Sequence, residues 1–129
     1  MKTQIPFFLV VVALVVAPLS LKAIMPAMPD LAIEKTIQTS STFWMVKVKN
    51  VGQLDSAPTT LKVTATPGGS YSCPVAAIKA GGTIDVPCKM PFKGHKDMRC
   101  EFILNPDKTI AEASYSNNRT TTLTNPKFN

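Results

Sequence analysis

From residue 31 to residue 124, apolar side chains return at every second position in short runs, and Gly, Pro, Asn or Asp interrupts each run. A period of two sends successive side chains to opposite faces of a pleated ribbon, so each run reads as a strand with one face toward a core. Trp44, Val46 and Val48 alternate with Met45, Lys47 and Lys49, which is an apolar face inward and lysines outward. Asn50-Val51-Gly52 ends that run with turn chemistry. Leu31, Ile33 and Lys35 alternate in the same way before it, and Leu61, Val63 and Ala65 after it, up to Pro67-Gly68-Gly69. Residues 71–78 and 83–90 flank Ala80-Gly81-Gly82; Met98, Cys100, Phe102 and Leu104 form the next inward face; a last run covers residues 118–124. No segment after Asp30 keeps a helical period beyond two turns. Seven short strands at this spacing predict an all-β fold, an immunoglobulin-like (fibronectin type III-like) seven-stranded antiparallel sandwich.

Two aromatic residues anchor the expected core. Trp44 and Phe102 both fall on inward positions, where each buries enough apolar area to contribute a few kcal/mol. Prolines mark the sheet margins. Pro74 and Pro87 lie inside their strands, and a proline cannot donate to a ladder, so both strands belong at edges. Because the two strands are consecutive around Gly81-Gly82, they are expected to pair and to meet at one open side of the sandwich.

Residues 1–23 read as a secretory leader, with residues 24–129 as the single working domain. Lys2 gives a positive start, residues 7–16 are unbroken apolar, Pro18 and Ser20 break the run, and Ala23 offers a small residue for cleavage. The apolar run is shorter than the roughly 20 residues a bilayer span needs. The rival is an uncleaved anchor, in which case membrane contact runs through the leader alone. The expected location is secreted or periplasmic, by bacterial export. That compartment oxidises thiols, so the three cysteines imply one bridge and one leftover. Across a turn centred between Ala80 and Gly81, Cys73 and Cys88 fall opposite each other, which favours that pair. Pairing of Cys88 with Cys100 is the alternative, and no bridge at all the third possibility.

Charge excludes some partners. Removing Lys2 and Lys22 lowers the net charge from +6 to +4, which suits weak attraction to anionic envelope polymers but is no nucleic-acid footprint. The densest basic stretch, Lys89, Lys93, His95, Lys96 and Arg99, is a candidate contact patch for an anionic glycan, a headgroup or an acidic protein. Its bland reading is a solvated loop.

Pro29-Asp30-Leu31-Ala32-Ile33, Val46-Lys47-Val48-Lys49-Asn50-Val51-Gly52, residues 78–86 around Gly81-Gly82 and the stretch 105–118 are four places that resemble one known family, the CARDB domain (cell-adhesion-related domain found in bacteria). The last resembles the family's final hairpin, which ends in Glu-x-x-x-x-Asn-Asn, here Glu112 to Asn117-Asn118. The resemblance implies an immunoglobulin-like fold and a non-catalytic, extracytoplasmic module.

Catalytic and metal chemistry find little footing. His95 is the sole histidine, and no nucleophile elbow or phosphate loop accompanies it. No Cys-x-x-Cys pair suggests zinc. Asp107, Glu112, Asn117 and Asn118 gather oxygens near one hairpin, but calcium takes 6–8 oxygens and only two of these groups are carboxylates. They are weak calcium candidates beside the plainer reading that Asn105, Asp107 and Asn117 shape turns. Asn118-Arg119-Thr120 matches a glycosylation sequon. No cofactor is expected. The expected function is a binding or adhesion module contacting an envelope protein or anionic polysaccharide, without nucleic acid. Behind it stand a structural component assembling by strand addition, and a small secreted enzyme resting on His95.

Overall fold

The computed structural model describes residues 26–90 and 98–128. Seven strands form: β1 (Leu31–Ser40), β2 (Phe43–Asn50), β3 (Thr59–Thr66), β4 (Gly69–Val75), β5 (Thr83–Lys89), β6 (Arg99–Leu104) and β7 (Arg119–Leu123). Two antiparallel sheets face each other, one in the order β1-β2-β5 and the other β4-β3-β6-β7. This is the expected immunoglobulin-like sandwich, three strands against four. Short 3-10 turns, Ser116–Asn118 and Pro126–Phe128, flank β7.

Alternation builds the core as expected. Trp44, Val46 and Val48 of β2 are buried, as are Leu61, Val63 and Ala65 of β3 and Cys100, Phe102 and Leu104 of β6. Trp44 and Phe102 meet edge to face with ring centroids 5.3 Å apart, a geometry that aligns the ring quadrupoles. Antibody domains carry a disulfide between the second and sixth strands. Here a ring contact occupies that bridge, and the disulfide lies elsewhere.

Cys73 of β4 is bonded to Cys88 of β5, with Cα atoms 5.7 Å apart, and Cys100 is free and buried. The pairing matches the expectation, but the expected hairpin does not form. β4 is an edge of the four-stranded sheet and β5 an edge of the three-stranded one, so the bridge joins sheet to sheet. Gly81, at φ +76°, does make a turn, closed by Gly82 N–H on Lys79 O at 2.7 Å. Ile78 is what prevents the fold-back. Its side chain is 1% exposed, its amide donates to Ser56 Oγ, and its carbonyl accepts from Asn50 Nδ2. The segment therefore crosses the end of the sandwich to the other sheet. Pro74 and Pro87 do sit on edge strands, where their missing donors cost no ladder bond.

β1 departs from strict alternation. Its register shifts between Ile33 and Lys35, so Lys35 lies opposite Lys47, while Thr36 and Gln38 come opposite Val46 and Trp44. A bulge of this kind moves every later side chain to the other face. Lys35 is therefore exposed, not on the core side as its spacing from Ile33 suggested. Gly52 is required by close approach: a Cβ there would collide with the backbone of residues 28–30.

Candidate functional site

The family-like stretch 105–118 folds into an irregular segment between β6 and β7, held by a buried polar network. Asn105 ends β6 at φ +48°, in the left-handed region that asparagine tolerates better than most residues. Its Oδ1 accepts from Ile110 N–H at 3.2 Å, and its Nδ2 donates to Ile110 O at 2.8 Å and to Glu112 Oε2 at 2.9 Å. Glu112 is 5% exposed. Its Oε1 accepts from Leu31 N–H at 2.6 Å, and its Oε2 accepts also from Asn118 Nδ2. One carboxylate thus ties the first residue of β1 to both ends of the segment. Three donors on a buried carboxylate compensate its lost hydration. Ala113 N–H on Pro29 O, at 3.1 Å, and Asn117 Nδ2 on Asp30 Oδ1, at 3.1 Å, reinforce the clasp.

A second asparagine does the same work nearby. Asn50 is fully buried, donates to Leu54 O and Ile78 O, and accepts from Asp30 N–H and Gly52 N–H. The Asn-x-Gly turn is therefore a hub that fixes three loops at one end of the sandwich.

The calcium candidates separate. Glu112 and Asn118 come together, with Asn105 rather than Asp107 as the third member. Asn117 turns to Asp30, and Asp107 is exposed. Among the described residues no group of three or more His, Cys, Asp or Glu side chains is placed to hold a metal. The sequon asparagine, Asn118, is 3% exposed with its amide committed inside the protein, so a glycan has no access to it. Of the basic stretch, Lys89 and Arg99 are exposed strand residues; Lys93, His95 and Lys96 lie outside the described residues. The residues of the expected leader, 1–23, lie outside them too.

Burial raises the pKa of the Cys100 thiol, and burial with the nearby Cys100 raises that of the Tyr71 phenol. Both groups are thereby held neutral near pH 7, and Cys100 is a packed hydrophobe rather than a nucleophile.

The residues that sequence reasoning missed lie just outside the clasp. A groove of about 280 Å³ runs beside the end of β6 and the start of β7, lined by Ile103, Pro106, Lys108, Tyr115, Asn118 and Arg119 among others. Lys108 sits at φ +53°, with its ammonium 5.0 Å from the centroid of the Tyr115 ring. The Tyr115 hydroxyl donates to Ile110 O at 3.3 Å and accepts from Glu112 N–H at 3.4 Å, so the ring is fixed at its far edge. Arg119 reaches Glu101 at 3.7 Å, with its side chain 61% exposed. Nothing in the spacing of Lys108, Tyr115 and Arg119 announces a site; the positive φ of Lys108 and the fold of the segment bring them together.

A second concavity opens between the edges of β1 and β7, where Thr36, Gln38, Trp44, Thr122 and Leu123 form the walls. Trp44 Nε1 is buried without a hydrogen-bond partner among the described residues. Among the described residues no helix is long and apolar enough to cross a membrane.

Comparisons with known proteins agree with this architecture. The CARDB family model matches residues 28–122. The solution structure of a domain from a Methanosarcina acetivorans protein, provisionally named a cell surface protein, superposes with a TM-score of 0.65 at 17% identity, covering 74% of this chain and 90% of that one. The crystal structure of the CARDB domain of a Pyrococcus furiosus protein, in complex with di-metal ions, superposes with a TM-score of 0.59 at 20% identity, covering 75% and 92%. At these identities the likeness shows the fold. No curated protein matches the chain significantly.

Proposed function

The chain belongs to the CARDB family, and from that premise we propose that it is a non-catalytic binding module of the cell envelope or exterior, contacting a protein or an anionic polysaccharide. One observation carries this reading. The buried polar residues Asn50, Asn105 and Glu112, and the amide hydrogens of Asn118, are spent on internal hydrogen bonds that fix loops. What remains for a partner is rigid loop surface, and contact rather than chemistry is what rigid loops on a sandwich supply. Export by the leader 1–23 belongs to the same reading. The bound metal ions belong to the Pyrococcus domain; the oxygens of Glu112 are already occupied by protein donors here, so the proposal includes no metal.

The test is capture from envelope fractions by the immobilised mature domain. Saturable, dose-dependent recovery of one protein or polysaccharide is the expected result. Recovery no greater than that on a blank support would refute the reading.

A second reading is favoured by the edges of β1 and β7. Both lack proline, and Ile37 on β1 and Leu123 on β7 are 42% and 59% exposed. An edge strand without proline keeps donors that another strand can use. Sedimentation of the pure domain over a wide concentration range separates the two, because self-assembly by strand addition raises the mean mass with concentration.

A further inference from the structure

We propose that the groove between the end of β6 and the start of β7 binds an acidic sugar, a hexuronate unit of an anionic polysaccharide. This deepens the proposed function and rests on it. Four features of the groove point to one ligand chemistry.

Two cations, Lys108 and Arg119, stand at its walls, and among the described residues no acidic side chain lines it. Arg119 is only loosely engaged, since its contact with Glu101 spans 3.7 Å between exposed groups, and such pairs are weak. A guanidinium free to turn offers the paired N–H donors that match a carboxylate. Tyr115 supplies an apolar ring, 36% exposed, fixed through its hydroxyl and met by the Lys108 ammonium at 5.0 Å; a pyranose ring can lay its C–H face against such a ring beside the cation. Asn118 supplies the independent fourth feature. It is 3% exposed and lines the groove. Its Nδ2 donates to Leu104 O and Glu112 Oε2, which uses both amide hydrogens, and its Oδ1 has no partner among the described residues. A buried acceptor without a donor costs free energy, and a hydroxyl donor entering at this wall of the groove is the group we assign to it. Carboxylate, hydroxyl and apolar ring face occur together in a uronic acid. A neutral sugar leaves the cations idle, and a simple anion leaves the ring and the amide idle.

The groove is also preorganised. Asn105 and Lys108 both hold positive φ, conformations that persist only where surrounding contacts over-determine them. Here Glu112 holds Asn105, and Asn105 O accepts from Lys108 N–H at 3.0 Å, so the backbone of the groove needs little ordering on binding.

The test uses the mature domain and trigalacturonate at low salt, with its methyl ester and maltotriose as neutral controls. Titration calorimetry is expected to show saturable binding of the acid that weakens steeply with added salt, and no binding of either control. The double variant Lys108→Asn with Arg119→Gln is expected to bind at least about tenfold more weakly, the loss of about 1.4 kcal/mol. Asparagine tolerates the backbone at 108, and a melting point equal to wild type verifies the fold. Amide shifts on the wild-type domain give a readout independent of any variant. Perturbation centred on Tyr115, Ser116 and Arg119 supports the groove; perturbation centred on Lys93 and Lys96 overturns it. So does failure to bind the acid, equal binding of the ester, or undiminished binding by the double variant. Envelope capture that survives while trigalacturonate fails to bind removes the groove and leaves the module reading. Trigalacturonate binding without any envelope capture does the reverse.

Discussion

The two long sides of this sandwich are closed by different means. On one side β4 and β5 face each other from opposite sheets, joined by Cys73–Cys88, and each edge carries a proline. On the other side β1 and β7 face each other without a covalent link. At one end of that side Glu112 clasps the start of β1, and at the other Asn125 N–H reaches Gln38 Oε1. Between them Thr36, Gln38 and Thr122 line an opening whose wall includes Trp44. The stapled side is sealed against strand addition and fixes how the sheets meet. The clasped side keeps free edges and a polar mouth. One margin is thus covalently closed and the other open to contact, and the bulge in β1, which brings Thr36 and Gln38 opposite Val46 and Trp44, places polar residues at the open one.

The largest effect should come from the contact that belongs to neither side. Trp44→Ala removes the ring that meets Phe102 between the sheets. A loss of about 3–5 kcal/mol is expected in denaturant unfolding, which is a large share of the stability of a small domain. A variant that unfolds near the wild-type midpoint would mean that the two margins, rather than the middle, hold the sheets together. Next comes the staple. Cys73→Ala with Cys88→Ala opens a loop of 15 residues and should cost about 3 kcal/mol. The same change should leave β1 and β7 as protected from hydrogen exchange as before if the sides act independently. Loss of protection there would show that the staple also sets the geometry of the clasped side.

Several of these features can be read from the residues, and others cannot. The inward faces of β2, β3 and β6 follow from period two because strand geometry leaves a side chain only two directions. The edges follow from Pro74 and Pro87, because a missing donor is tolerated only where no neighbour strand needs it. The Cys73–Cys88 pair was legible for a partly wrong reason. Turn signals at Gly81-Gly82 say that the chain turns, but they do not say which sheet the next strand joins. That choice was made by Ile78, whose burial carries the segment across the end of the sandwich. The opposed positions still met, because both edges lie on the same side. Glu112 was less legible. A carboxylate beside two asparagines suggests a ligand set, and its principal donor, the amide of Leu31, is 81 residues away. Lys108, Tyr115 and Arg119 were not legible as a group, since a left-handed residue and a buried clasp bring them to one groove.

The clasp is the third prediction. Glu112→Gln keeps the shape but replaces one acceptor oxygen with a donor amide. Whichever way it is placed, an N–H then faces either Leu31 N–H or the amides of Asn105 and Asn118. A cost of about 1–3 kcal/mol is expected, with loosened exchange at the start of β1 and across residues 105–118. The stapled side should be unaffected. Destabilisation spread evenly over both sides would contradict the division drawn above.

The smallest effect on stability should accompany the clearest effect on association. Leu123 is 59% exposed on the free edge of β7, and it points away from the core, since Thr120 and Thr122 hold the more buried positions of that strand. Leu123→Lys therefore removes little packing, and the unfolding free energy should stay within about 0.5 kcal/mol of wild type. A lysine on an edge strand is a common block to pairing. If the pure domain self-associates through the clasped side, this one substitution should return it to a monomer at every concentration tested by sedimentation. The matched change on the stapled side, Asp85→Lys in β5, should leave any assembly as it was. Equal loss of assembly in both variants would indicate general charge repulsion, and the contrast between a sealed margin and an available one would fail.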